Sequence, residues 1–432
     1  MNFADRSLSL SISALSRVEG EGGISIEVER GKVKSCKLHI FEAPRFFESF
    51  LIGRHFYEPP DITARICGIC PVAYQVSSTA AIEKGCNVFI PENLWQLRRL
   101  LYCGEWIESH SLHVFFLHAP GFLRYPSLME MAKDYPTEVG WGLQMKKAGN
   151  ALIRALGGRE IHPVNVRVGG FYSLPEKKEL KKLLDPLKKG LDNTLAALKW
   201  MGSIFSFPPF QGAYRFVALR NDASYPIERG KLYCGQQPVP IEQFENFFKE
   251  EQTDYSNALR WLGNDSAPCV AGPLARFNLN YFLLPPFLRD ILKQTTLNYP
   301  CLNPFQSILV RLVEVAYAFD EAIRLIETYE PGGEPCCIDF KPCASLGQGI
   351  SEAPRGILYH RYHVDEQGII TGAKIVPPTC FNLVSAEEDL KAWIESHPHD
   401  SIENLSADCE QIVRNYDPCI SCATHLIKLT FL

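Results

Sequence analysis

Two Cys-x-x-Cys pairs stand near opposite ends of this 432-residue chain: Cys67 and Cys70 in Arg65-Ile66-Cys67-Gly68-Ile69-Cys70, and Cys419 and Cys422 in Asp417-Pro418-Cys419-Ile420-Ser421-Cys422-Ala423-Thr424-His425. Within a pair the two sulfurs lie about one helical turn apart, close enough to chelate one ion. Brought together, the pairs offer four thiolates, a soft donor set that selects nickel, iron or zinc over hard cations. The first and last parts of the chain must then meet at one centre, so residues 1–432 are expected to form a single domain. Spacing alone leaves structural zinc open, although a zinc clip usually staples a local loop and these pairs are far apart in sequence.

With 46% hydrophobic and 22% charged residues, the composition is that of a globular protein with a substantial core. The net charge of -5 gives no reason to expect nucleic acid or an anionic membrane as partner. No apolar run reaches the roughly 18 residues of a spanning helix. The first residues lack a basic region followed by an apolar core, so no secretory signal is expected. Fifteen cysteines in such a chain fit a reducing, cytoplasmic setting, with most of them acting as small buried hydrophobes. Cys336, Cys337 and Cys343 are close enough together to raise a second metal site, but no matching second half stands nearby.

Residues 22–40 alternate about Arg30-Gly31 and predict a β-hairpin. Pro71 opens and Gly85 closes a helix directly after the first cysteine pair. Helical periodicity predicts long helices over 94–118, 145–156, 179–200 and 305–329. The segments 202–240 and 330–350 read as ordered connections. The expected class is α+β, predominantly helical, with a central bundle of long helices and small peripheral sheets.

The motifs RxCGxC and DPCxxCxxH, with Arg17-Val18-Glu19-Gly20 and Glu352-Ala353-Pro354-Arg355-Gly356, resemble the large subunit of nickel–iron hydrogenases over essentially the whole chain. The set CGICPVAYQ, ESHSLH, GGREIHPVNVRVGGF and DPCISCATH is most similar to the soluble, bidirectional, NADP-linked subgroup also called sulfhydrogenase. The resemblance implies that Cys67 and Cys419 are terminal nickel ligands, while Cys70 and Cys422 bridge nickel to an iron carrying carbon monoxide and two cyanides. It implies heterolytic cleavage of dihydrogen, with Cys419 taking the proton, Glu19 relaying it outward and Arg355 facing the open side of the site. It further implies a magnesium ion (iron in some relatives) held by Glu48 of Arg45-Phe46-Phe47-Glu48, by His425 and by a backbone carbonyl near Lys374. A maturation endopeptidase is expected to cut after His425, removing 426–432.

Three positions depart from the membrane-bound uptake members: Tyr74 and Ser109 replace a histidine and an aspartate, and Pro378 replaces a hydroxyl that often bonds a cyanide. His110, His113 and His118 read as packed, hydrogen-bonded core histidines. No dinucleotide fingerprint appears, Gly347-Gln348-Gly349 being only a fragment, and no iron–sulfur ligation pattern is present. Electrons must therefore leave to an iron–sulfur small subunit, continuing through iron–sulfur and flavin diaphorase subunits if NADP is the acceptor. NAD- or deazaflavin-reducing relatives and a hydrogen sensor are alternatives within the family. A metal-free scaffold protein is the alternative outside it, and the presence of all four cysteines argues against that.

Overall fold

The computed structural model describes residues 7–331 and 335–424. Strands β1 (Leu8–Ile12), β2 (Gly22–Glu29) and β3 (Lys32–Ile40) form an antiparallel sheet in that order. The predicted hairpin is β2–β3. Its two-residue turn has φ of 49° at Arg30 and 73° at Gly31, the pair of positive values that a tight hairpin of this hand requires. β1 joins as a third strand through the alternation Leu8-Ser9-Leu10-Ser11-Ile12, with Leu8 opposite Val28.

Helix α1 (Pro71–Gly85) keeps the predicted bounds, with Cys70 at its N-cap and Pro71 at its first position. Helix α2 (Glu92–Ser111) widens into a π-helical stretch, Leu112–His118, where the sequence predicts one continuous helix. Helix α3 (Pro136–Gly157) starts earlier than predicted and stops where predicted, with Gly158 in the left-handed conformation as cap. The predicted helix over 179–200 is divided into a short Lys177–Lys181 turn and α4 (Leu184–Ile204). Helix α5 (Ser307–Thr328) matches its prediction, and its stripe of Leu309, Leu312, Val313, Ala316 and Phe319 is fully buried. α2 packs along both α3 and α5, and α4 lies against α3 and α5. These helices are the core, and burying their apolar faces is the main favourable term in folding.

Sheets surround the bundle. One has four strands, β4 (Arg215–Arg220), β5 (Lys231–Cys234), β6 (Gln237–Val239) and β7 (Cys269–Ala271), ordered β7-β4-β5-β6. Another is the meander β8 (Ser345–Ala353), β9 (Gly356–Val364) and β10 (Ile370–Val376). α1 lies directly on β8: a Cβ on Gly347 would stand 2.0 Å from Ala81 O, and one on Gly349 2.4 Å from Ala81 N. The Gly347-Gln348-Gly349 fragment thus seats a helix on a strand. Helices α6 (Thr379–Ser396) and α7 (Ile402–Asn415) then return the chain to β3 and β1. That return brings Cys419 beside Glu19, the two residues forming a parallel β-bridge.

Candidate metal centre

Each cysteine pair sits where a backbone element ends. Cys70 precedes α1, and the first turn of that helix is gripped by Glu105 of α2, whose carboxylate accepts from Val72 N (2.6 Å) and Ala73 N (3.1 Å). Burial pushes the Glu105 carboxyl well above its ordinary range, against the pull of those two N–H groups. The second pair follows Asp417, which adopts a left-handed φ of 50°. Cys419 N donates to Thr379 Oγ1 (3.0 Å), so the hydroxyl next to Pro378 fixes the cysteine backbone. Arg45 ties the two motifs together. Its Nη2 donates to Ile66 O at 2.8 Å and also to Ser421 O, while its backbone N donates to Thr424 O at 3.1 Å.

The four sulfurs converge. Cys67 Sγ is 3.4 Å from Cys419 Sγ, Cys70 Sγ is 3.8 Å from Cys422 Sγ, and 2.8 Å separates Cys419 from Cys422. All are buried, all lie within 4.8 Å of one another, and none is in a disulfide. Thiolates on one ion at about 2.3 Å stand at most about 4.6 Å apart, so the quartet is within reach of one or two shared soft ions. The thiols perturb each other. Hydrogen bonds from Cys419 and Cys422 hold Cys67 well below the ordinary thiol range, and those with Cys422 and Cys67 push Cys419 well above it. A cation that displaces the remaining protons relieves this crowding.

Around the sulfurs stand polar atoms that no hydrogen bond among the described residues satisfies. Arg355 is 2% exposed; its Nε donates to Asp417 O (2.9 Å) and its Nη2 to Asp417 Oδ1 (3.1 Å), but its buried Nη1 has no partner among the described residues. Burial opposes the guanidinium charge, yet Asp417, Cys419, Cys70 and Cys67 outweigh it and raise its pKa. The Tyr74 hydroxyl is buried with no nitrogen or oxygen partner among the described residues and with the Cys422 thiol beside it; burial, then the charges of Cys422 and Cys70, raise its pKa well above the ordinary tyrosine range. Such orphaned donors are rare in interiors, and here they fit a centre that brings hydrogen-bond acceptors of its own. A closed zinc site has no use for them.

Glu19 is half-buried beside the second pair. Ser421 N donates to its Oε2 at 3.1 Å, Ser421 Oγ donates to its Oε1, and Ile420 N donates to its backbone carbonyl at 3.1 Å. Gly20 permits this approach: at φ 88° it has no side chain, and a Cβ would fall 2.6 Å from Ile420 Cβ.

Glu48 is buried on a short helix, Phe47–Leu51, and accepts from Ile375 N at 2.8 Å. Burial pushes its carboxyl up to about 7 despite the nearby Lys374 charge. β10 thus brings residues 374 and 375 to Glu48, while the Lys374 ammonium bonds Glu250. His425 and the tail 426–432 lie outside the described residues. Cys336, Cys337 and Cys343 do not come together as a ligand group, the quartet being the one such group among the described residues. His110 lies 3.0 Å from Glu314 and His113 Nε2 donates to Arg414 O (2.8 Å), as expected of core histidines. His118 makes no such contact among the described residues, and the Nδ1 atoms of His110 and His113 are likewise buried without a hydrogen bond there. Ser109 is buried too, its hydroxyl also without a partner among the described residues.

Sequence reasoning missed six supports: Glu105, Thr379, Ser421, Asp417, Arg45 and Arg276. Ser421 and Asp417 lay inside a quoted motif, and Arg45 beside Glu48, without a role. Arg276 carried no local signal at all. It donates to both Glu314 oxygens (2.8 and 2.6 Å), to Glu352 (3.0 Å), and to the carbonyls of Ala353 and Pro354 (2.8 Å each), fixing the loop that presents Arg355.

A family profile described as nickel-dependent hydrogenase matches residues 45–139 and 243–425. The chain is 32% identical over 431 residues to the alpha subunit of sulfhydrogenase 1 from Pyrococcus furiosus, covering 98% of this chain and 99% of that protein. It is 30% identical over 408 residues to a subunit of the F420-non-reducing hydrogenase vhu from Methanocaldococcus jannaschii, covering 88% of this chain and 97% of that protein. Its fold superposes on an NAD+-reducing NiFe hydrogenase in the H2-reduced state with a TM-score of 0.88 at 24% identity, over 98% of this chain and all of that one. No helix among the described residues is long and apolar enough to cross a membrane.

Proposed function

The chain belongs to the nickel-dependent hydrogenases, as their catalytic large subunit, and on that premise we propose that Cys67, Cys70, Cys419 and Cys422 hold a nickel–iron centre at which dihydrogen is reversibly cleaved. The observation that carries this reading is the convergence of four buried thiols under the unpartnered Nη1 of Arg355. In this assignment Cys67, Cys70, Cys419 and Cys422 would hold the nickel, and Cys70 and Cys422 would also serve the iron with its carbon monoxide and two cyanides. The centre supplies Lewis-acid and redox chemistry when bound.

The protein's own groups do the rest. Arg355, held by Asp417, presents a fixed positive charge toward the sulfurs and stays protonated, which suits charge stabilisation better than base chemistry. A proton arriving at Cys419 Sγ leaves through Ser421 Oγ and Glu19 Oε1, which are hydrogen-bonded to each other. Arg45 and Thr379 keep the two cysteine loops at fixed separation. Glu48, the carbonyl at Lys374 and His425 would hold a magnesium ion, a hard cation whose remaining positions oxygen donors and water would fill. An endopeptidase cuts after His425. Electrons pass to an iron–sulfur small subunit, then through a flavin diaphorase to NADP, a route favoured by the likeness to sulfhydrogenase 1. An NAD-linked acceptor is the second reading, favoured by the superposition on an NAD+-reducing enzyme. Residues 1–432 work as one domain in a cytoplasmic hetero-oligomer.

The test is an infrared spectrum, with metal analysis, of protein from its own host. One metal carbonyl band and two cyanide bands, with nickel and iron in equal amounts, are expected. Zinc with no such bands would overturn the assignment. Reduction of NADP against NAD by the purified complex under dihydrogen decides the acceptor.

A further inference from the structure

At the end of α1 remote from the metal centre, Cys86 caps the helix, half-buried, its backbone N donating to Ile82 O at 2.9 Å. Its thiol lies 3.7 Å from the hydroxyl of Ser345, the first residue of β8. Cys343, exposed in the segment that leads into β8, reaches both that hydroxyl and the Cys86 thiol. Two thiols thus bracket one hydroxyl. The slight burial of Cys343, then Cys86 beside it, raise its pKa. The two backbones meet here as well: a Cβ on Gly85 would stand 2.9 Å from Gly347 Cα and 3.2 Å from Ser345 Oγ. A disulfide asks for this close approach of the segments that it joins. Neither thiol is in a disulfide. No third histidine, cysteine or carboxylate among the described residues joins them, so the pair does not make a metal site.

From this point α1 and β8 run side by side to the centre. Ala81 meets Gly349, and the hydroxyls of Ser77 and Ser351 are 2.6 Å apart. At the near end α1 starts from Cys70, and β8 leads through Ala353 to Arg355. We propose that Cys86 and Cys343 are a thiol–disulfide exchange site, oxidised by a low-molecular-weight disulfide, whose closure ties the end of α1 to the start of β8. The exposed Cys343 thiolate attacks one sulfur of the small disulfide and expels the other half as a thiolate. Cys86 then attacks Cys343 Sγ and expels the second half. One protein S–S bond forms and the small S–S bond breaks; the two small thiols carry away the electron pair and the two cysteine protons. In a reducing setting such a bond is transient, which suits a sensing role. Cys336 and Cys337 stand apart from it, their thiols donating to Tyr172 O and Val168 O. The site stands on these residues alone and not on the functional reading above.

The experiment treats the purified full chain with oxidised glutathione and maps unreduced peptides by mass spectrometry. A linked Cys86–Cys343 peptide is expected, forming saturably as the ratio of oxidised to reduced glutathione rises and disappearing with dithiothreitol. In the linked protein, amides of 82–88 should exchange about tenfold more slowly or less. Cys86→Ser should leave glutathione resting on Cys343, because the second attack is lost, and Cys343→Ser should remove the linked peptide. Glutathione resting on Cys343 in the parent, a link from Cys343 to Cys336 or Cys337, or no modification of either thiol would overturn the exchange site. A linked peptide without slower exchange would overturn the tie between α1 and β8. The parent chain supplies both the linkage and the exchange reading, so the outcome is decided even where a variant fails to fold.

Discussion

At the scale of single residues, Glu19 and Asp389 show how position assigns different work to carboxylates. Glu19 keeps both oxygens on Ser421, one residue from Cys422, at an isolated β-bridge to Cys419 where its side chain is only partly buried. Glu19→Gln preserves the shape and removes the proton-carrying group. It should lower hydrogen–deuterium exchange under dihydrogen by about 100-fold or more while the carbonyl and cyanide bands stay in place; an unchanged rate would remove Glu19 from the path. Asp389 instead is locked inside the fold, its Oδ2 accepting from Tyr214 and Tyr416 at 2.6 Å each. Burial outweighs those bonds and raises its pKa from 3.8 to about 6. Across that window the folded chain holds a proton that the unfolded chain has released, so stability falls as pH rises and levels off above about 6. The shift corresponds to about 3 kcal/mol. Asp389→Asn should flatten the unfolding midpoint between pH 4 and 6, and a profile parallel to the parent would assign the slope elsewhere.

Elements were legible where their signals were local. Pro71 and Gly85 mark α1 because a helix start tolerates the missing N–H and a helix end tolerates glycine. The hairpin turn at Arg30-Gly31 is equally local. The early start of α3 was not legible because Pro136 and Gly140 dilute its periodicity, although proline at the first position is harmless. β8–β10 and the four-stranded sheet were hidden because strand partners are chosen by long-range contacts. Arg276 is the same lesson in a side chain, since a lone arginine in Ala275-Arg276-Phe277 carries no pattern. Its partners are 38 and 76 positions away. Burial opposes the charge on Glu314, but Arg276 and His110 win and hold its pKa at about 2. Arg276→Met would strand Glu314 and Glu352 and should cost about 3–5 kcal/mol, more than any exposed pair. It should also shift the infrared bands as the Ala353–Arg355 loop loses its anchor. Arg276→Met with Glu314→Leu should recover part of the loss, and additive costs would show that the two do not act as a pair.

For the whole molecule, the decisive fact is that the donors come from both ends of the chain. The motifs made the quartet legible, because paired cysteines at that spacing have few other uses. What the motifs could not supply was the means of closure: the Glu19–Cys419 bridge, the Arg45 clamp on Ile66 and Ser421, and the return of α6 and α7 to the first sheet. Those contacts are few and lie at the margin of a helical core that needs no metal to bury itself. A centre bound by Cys67, Cys70, Cys419 and Cys422 therefore acts as a staple on segments whose local opening is otherwise inexpensive. Metal removal should leave exchange protection in α5 unchanged while amides of Glu19–Gly22 and Ile420–Thr424 lose protection together. Hydrogen exchange read by mass spectrometry on metal-free and loaded protein measures this directly. Uniform loss across α5 and the termini would mean that the metal supports the entire fold. No change at either end would mean that the thiols are held by packing alone, with the cage complete before the metal arrives.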